Sequence, residues 1–274
     1  MGNQPRDDYI LGVDPAELQR LWSQHQAWAQ EMRSLLGRAG LGPGMVVMDL
    51  GCGPGTTSIE LARFVEPGGR VIAVDESPAC IESLIQATQS QGVTSIEPRR
   101  VSVEDLGLEP ESLDGVYGRW ILAWLPDCAG VFQQVAQALR PGGVYVLQEY
   151  LNWSALTLLP RSSAFGAAIN ACMRSWKRGG GTINIAEEVP ALAQEVGLEL
   201  ESFTINARSG SPGSSEWKWI GEFLTSYLAR LVSLGIFEAT EYEAFLFDWR
   251  AHEQRPDSIV VAPVVADIVL RKPR

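Results

Sequence analysis

The stretch VVMDLGCGPG, residues 46–55, decides how the rest of the chain is read. The apolar run 45–50 holds one acid, Asp49, and ends in glycines at alternate positions, Gly51, Gly53 and Gly55. Such a run ending in a glycine cluster reads as a strand buried on both faces and then a tight turn. Glycine lets the backbone bend sharply and lets a ligand approach with no Cβ in the way. Twenty positions past Gly55, RVIAVD (70–75) is a second apolar run closed by an acid, Asp75. An acid there can accept hydrogen bonds from both hydroxyls of a ribose. Loop and acid together point to an adenosine-containing ligand. A dinucleotide site usually reads G-x-G-x-x-G and faces a pyrophosphate with a helix N-terminus. Here the order is D-x-G-x-G-x-G, and Asp49 suits a positively charged amino-acid portion better than a phosphate.

Outward from this centre, strands and helices alternate. Helices are expected at 15–40, 56–65, 78–90 and 129–139, and strands at 45–50, 70–75, 96–103, 113–117 and 144–150. Alternation at this spacing predicts βαβ units and a mostly parallel α/β sheet with helices on both faces. Ligands of such sheets bind outside the carboxyl ends of the strands. Beyond 151 the spacing predicts helices at 161–176, 187–196, 216–234 and 240–252, a loop at 209–215, and strands at 201–206 and 264–272. The chain divides into an N-terminal cap (1–44), a ligand-binding core (45–150) and a remainder with a helical lid (151–274).

The 274 residues carry 33 acids against 22 bases, a net charge of −11, which argues against a dedicated nucleic-acid binder. With 46% hydrophobic and 20% charged positions, neither disorder nor a membrane span is expected. Four scattered cysteines and two histidines supply no metal-ligand spacing, so no metal is expected. No secretory signal is read at the N-terminus, so a cytoplasmic protein, monomer or homodimer, is expected.

Four segments in order, VVMDLGCGPG, VIAVDES, VSVEDLGLEPESLDGVYGRWILAWLPD (101–127) and ALRPGGVYVL (138–147), resemble the class I S-adenosylmethionine-dependent methyltransferases, in particular their small-molecule, quinone-biosynthesis-like subgroup. The resemblance implies a Rossmann-like, mostly parallel seven-stranded sheet with N-terminal cap helices and a helical insertion before the last strand. It implies S-adenosylmethionine as cofactor, with the backbone of Gly51, Cys52 and Gly53 beside its methionine part. Asp75 would hold the ribose, Glu76 would lie along the adenine, and Val103 would meet the adenine edge. Adenine N6 would fall to Ser102 or Glu104. The carbonyl near Gly118 or Arg119 would accept from the cofactor amine, and Tyr9 and Gln24 would close the site. Cys52 reads as a small residue that fits, with no reactivity assigned.

Methyl transfer from a sulfonium chiefly needs alignment and exclusion of water. Candidates for a base are His25, Glu149 and His252; a packed histidine, or a strand-end glutamate serving as a structural partner, are the alternatives. Among nine tryptophans, Trp120 and Trp124 follow the fourth-strand segment. Trp217, Phe223 and Tyr227 lie in the lid, while Trp22, Trp28 and Trp176 read as core. The expected acceptor is a small apolar or aromatic molecule. A protein or nucleic-acid methyltransferase and a nicotinamide-dependent oxidoreductase are the competing readings.

Overall fold

The computed structural model describes residues 14–274. Tyr9 lies outside the described residues. Helix α1 (Pro15–Arg38) starts where the Asp14 carboxylate accepts the N–H groups of Ala16 and Glu17, both at 2.9 Å. Those amides have no partner inside the helix, and proline at the first position gives up nothing. The order is then β1 (Val46–Leu50), α2 (Thr56–Val65), β2 (Arg70–Asp75), α3 (Pro78–Gln91), β3 (Ile96–Arg100), β4 (Leu113–Arg119), α4 (Cys128–Ala138) and β5 (Leu139–Asn152). The second half holds β6 (Thr157–Leu159), α5 (Ser163–Arg178), α6 (Val189–Glu195), β7 (Glu199–Asn206), β8 (Ser209–Gly210), α7 (Ser215–Ser233), α8 (Ala239–Glu253), β9 (Ile259–Val261) and β10 (Val264–Arg271).

Seven strands form one sheet in the order β3-β2-β1-β4-β5-β10-β7. β10 runs antiparallel to both neighbours, and the other pairings are parallel. The order reverses between β1 and β4, the switch point above whose carboxyl ends sheets of this kind bind their ligands. Each face has its own core. Met32, Leu35 and Leu36 of α1 join Leu61 of α2 on Val47, Val71 and Tyr117. On the opposite face Phe132 and Val135 of α4 cover Met48, Leu50 and Tyr145. A third, largely aromatic core gathers α1, α5, α7 and α8 beyond the end of β4.

Most expected elements lie within a few residues of their observed ends. β5 is longer than expected, because Leu139 already pairs with Leu113 and Asn152 still pairs with Val264. β3 stops at Arg100, short of the expected 103. The expected loop 209–215 contains β8, which joins β9 and β6 in a small antiparallel sheet. Strands of two or three residues are too short to display an alternating pattern.

The turn after β1 holds φ values of +68° at Gly51, +53° at Gly53 and +92° at Gly55. A Cβ at Gly55 would fall 2.3 Å from Leu84 Cδ1 and 3.2 Å from Leu84 Cα. Gly55→Ala therefore combines left-handed strain with overpacking, and we expect it to cost about 2–4 kcal/mol in urea unfolding. An unchanged midpoint would show that the turn tolerates a side chain.

Candidate active site

The glycine turn and the end of β2 are tied together by Asp75. Its Oδ2 accepts the N–H of Gly53 and its Oδ1 accepts that of Ser77, both at 2.9 Å. Each oxygen keeps capacity for a further donor. Burial pushes the Asp75 carboxyl up, against the pull of those two amides. A Cβ built on Gly53 meets nothing within 4 Å, whereas one on Gly51 would lie 2.7 Å from Ile121. The backbone at Gly53 thus faces open space, beside an acid with unused acceptor capacity. Cys52 is buried, and its N–H donates to Val74 O at 2.9 Å.

Asp49 points the other way, beneath the loop. Its Oδ2 accepts from Thr57 Oγ1 and Ser58 Oγ, both at 2.6 Å. Burial raises its pKa to about 6, with the two hydroxyls opposing. Asp49 is therefore engaged in holding α2 to β1. The segment after β3 stays bonded to the end of β2, with Val101 N–H donating to Asp75 O at 3.1 Å. There Val103 is buried, Ser102 Oγ accepts the Glu104 N–H at 3.3 Å, and Glu76 is exposed. Ser102, Val103 and Glu104 are brought to the rim beside Asp75.

At the end of β4 the chain turns through Trp120, whose φ is +52°. A left-handed backbone at a bulky residue costs about 1–3 kcal/mol and persists only where its surroundings impose it. Here the Trp120 N–H donates to Gln148 O at 3.0 Å. Glu149 Oε1 accepts the N–H groups of Ile121 and Leu122, both at 2.9 Å. Glu149 is fully buried, and burial lifts its pKa to about 8.

Helix α1 meets this turn. His25 Nδ1 lies 3.2 Å from Arg119 Nη2. Burial first, and then the Arg119 charge, lower the His25 pKa to about 3, so the imidazole is neutral. A guanidinium can only donate, which assigns the Nδ1 lone pair to Arg119 and the ring proton to Nε2. At the preceding residue, Gln24 Oε1 accepts from Arg20 Nη1 at 2.6 Å and from the Trp219 indole at 3.1 Å. Arg20 also grips Glu17 through two contacts of 2.7 Å. This chain fastens α1 to α7. His252 is remote from it, on α8, with ring nitrogens 2.8 Å from Asp248 O and 3.1 Å from Pro160 O.

Trp120 opens the aromatic core. It stacks on Tyr150 and Trp219 at 5.5 and 5.6 Å and meets Trp28 edge-on at 5.4 Å. Trp124 lies 4.3 Å from Trp176 and 6.4 Å from Tyr227. Phe223 joins the group through Trp153, Trp176 and Tyr227. Trp217 belongs to the far end, stacked on Trp249 at 4.4 Å. The sequence reading assigned no site role to Tyr150, Trp153, Trp219 or the Arg20–Glu17 pair. Arg20 and Glu17 are three apart on one helix, which was the available signal. Nothing local marks a core tryptophan as the neighbour of a crevice. Among the described residues, no three His, Cys, Asp or Glu side chains gather as metal ligands.

The two shifted groups set the pH dependence of stability with opposite signs. Glu149 holds its proton in the folded state up to about pH 8 but releases it near 4.5 when unfolded, so its contribution falls as pH rises between those values. The unfolded His25 takes up a proton below about 6.5 that the folded ring refuses down to about 3, so its contribution falls as pH drops through that range. Each slope approaches about 1.4 kcal/mol per pH unit. Denaturant titrations across pH should show the alkaline slope flattened in Glu149→Gln and the acid slope flattened in His25→Asn. Curves parallel to wild type would contradict these placements.

A family described as "Methyltransferase domain" matches residues 41–220. The trans-aconitate 2-methyltransferase of Azoarcus sp. (strain BH72) is 32% identical over 122 residues, 44% of this chain and 45% of that protein. Methyltransferase str2 of Strobilurus tenacellus is 26% identical over 168 residues, 61% of this chain and 58% of its own. The chain thus spans about half the length of these curated relatives. Among solved structures, Haemonchus contortus phosphoethanolamine N-methyltransferase 2, in complex with phosphomonomethylethanolamine and S-adenosylhomocysteine, superposes with a TM-score of 0.62 at 16% identity. That superposition covers 100% of this chain and 61% of the other. The family match extends over well more than half of the chain, from the segment before β1 into α7, and the sheet has the strand order derived above: the chain belongs to the methyltransferase-domain family, within the class I S-adenosylmethionine-dependent methyltransferases.

Proposed function

We propose that this chain transfers a methyl group from S-adenosylmethionine to a small apolar or aromatic acceptor. The reading is carried by the aromatic core that begins at Trp120, the residue directly after β4 at the crest of the sheet. A flat apolar wall there suits an aromatic acceptor and excludes water.

The residues at the crest fit the cofactor. Asp75 retains acceptor capacity for two ribose hydroxyls, and the backbone at Gly53 has space in front of it. We assign Ser102, Val103, Glu104 and Glu76 to the adenine side. The backbone at Gly51 and the carbonyls of Gly118 and Arg119 take the methionine side, and Gln24 closes the cap. S-adenosylmethionine supplies a methyl group activated by a positive sulfur. The chain's own task is to orient the acceptor, which can be worth several kcal/mol. His25 and Glu149 are engaged with Arg119 and with the turn, so we assign them to positioning rather than to proton removal. Residues 45–150 hold the cofactor, 1–44 form the cap, and α5, α7 and α8 form the acceptor lid. Among the described residues no helix is long and apolar enough to cross a membrane, and we place the enzyme in the cytoplasm.

Two measurements test the assignment. Asp75→Ala should weaken S-adenosylhomocysteine binding at least tenfold in calorimetry, the loss expected for charge-assisted hydrogen bonds worth about 1.5–3 kcal/mol. Unchanged affinity removes Asp75 from the site. Pools of small molecules should be screened for release of S-adenosylhomocysteine; with the acceptor so found, Trp124→Ala should lower turnover at least tenfold and leave cofactor affinity intact. Equal turnover in wild type and variant takes Trp124 out of the acceptor wall.

A further inference from the structure

Three guanidinium groups lie against the aromatic core: Arg20 over Phe223 at 5.5 Å, Arg208 over Trp28 at 4.8 Å and Arg119 over Trp120 at 5.2 Å. Two of them are neutralised by carboxylates. Arg20 holds Glu17, and Arg208 holds Glu216 and, at 3.3 Å, Glu31. Arg119 pairs with no carboxylate among the described residues. Its Nη2 meets the neutral His25, and its Nη1 is buried without a hydrogen-bond partner. Asp49 feels the Arg119 charge from a distance but is engaged by Thr57 and Ser58.

The same core holds further unanswered donors. The indole N–H groups of Trp28, Trp120, Trp153 and Trp176 are buried and donate to nothing among the described residues. An indole can only donate, and buried polar groups are nearly always paired. By contrast the Trp219 indole has Gln24. Two of these donors lie in the rings next to Arg119, Trp120 beneath it and Trp28 edge-on to Trp120, and an uncompensated cation with unpaired donors near it is the chemical complement of an anion rich in acceptor oxygens.

We propose that the acceptor is an oxygen acid, a carboxylate or an acidic phenol or enol, whose negative oxygen pairs with the Arg119 guanidinium while its body lies on the aromatic core. The proposal rests on the methyltransferase reading above. It also agrees with the engagement of His25 and Glu149 elsewhere: an acceptor that arrives ionised has no proton to lose. The acceptor oxygen forms the new C–O bond as the S–C bond breaks, and the electron pair stays on sulfur. The oxyanion and the sulfonium cancel in charge. A carboxylate could also come from the methionine part of the cofactor, but the stacking of Arg119 on Trp120, whose own indole N–H is unpaired, favours the acceptor side.

The test uses calorimetry with 2-naphthoate and its neutral isostere 2-naphthamide, each titrated with S-adenosylhomocysteine present. Wild type should bind the naphthoate at least tenfold more tightly. Arg119→Met should abolish that preference and change S-adenosylhomocysteine affinity by less than threefold, because the backbone carbonyl at 119 is kept. Arg119→Lys, which retains the charge, should retain most of the preference and guards against a misfolded variant. Three results would overturn the proposal: wild type binding both naphthalenes equally or neither, a preference that survives in Arg119→Met, or a tenfold loss of S-adenosylhomocysteine affinity in that variant, which would give the guanidinium to the cofactor's carboxylate. Failure of wild type to bind S-adenosylhomocysteine at all would sink the underlying cofactor reading instead.

Discussion

Glu149 Oε1, buried beneath the end of β4, accepts the backbone N–H groups of Ile121 and Leu122. With the bond from Trp120 N–H to Gln148 O, it bends the chain through a left-handed tryptophan that an isolated peptide would avoid. The direction of that bend decides what lies above the sheet. It carries Arg119 toward α1 and Trp120 into the aromatic core, and it leads Trp124 onto Trp176. Burial holds this carboxyl in its neutral form at neutral pH, which avoids the cost of burying an ionised group at the turn.

The crest is divided by chemistry. On the β1–β2 side the backbone is glycine-rich and the side chains are acids, and Asp75 is braced by amides so that its oxygens are preorganised. On the β4–β5 side stand aromatic rings and guanidinium groups. The glycine turn admits a ligand by omitting side chains, and the aromatic side surrounds one by supplying them. Helix α1 spans both, bound to α2 through Arg33 and Glu60 at 2.7 Å and to α7 through Gln24 and Trp219. Beneath these polar contacts α1 is held by an apolar face, with Trp28, Met32, Leu35 and Leu36 fully buried.

Residues near the strands were readable because their constraints are local. A buried parallel strand needs an unbroken apolar run, and a turn that approaches a ligand needs glycine. An acid at a strand end stands where the sheet delivers it. Those three rules located β1, β2, the loop at 51–55 and Asp75. The alternation of elements predicted the parallel sheet and its seven strands, and the resemblance implied that they form one sheet. β6, β8 and β9 escaped notice because two or three residues carry no period. Trp28 and Trp176 read as core and are core, yet both also border Trp120 or Trp124.

By itself the sequence determined the sheet, the glycine turn and the strand-end acids, since each follows from the chemistry of a few neighbouring residues. Tertiary structure alone decided that His25 spends its Nδ1 lone pair on Arg119, that Glu149 braces a turn, and that Arg119, of the three guanidinium groups set against the aromatic core, is the one that pairs with no carboxylate among the described residues. Charge compensation and hydrogen-bond saturation are properties of groups brought together from distant positions, 94 residues apart for His25 and Arg119. No periodicity or motif records them, because pairing depends on where the chain returns in space.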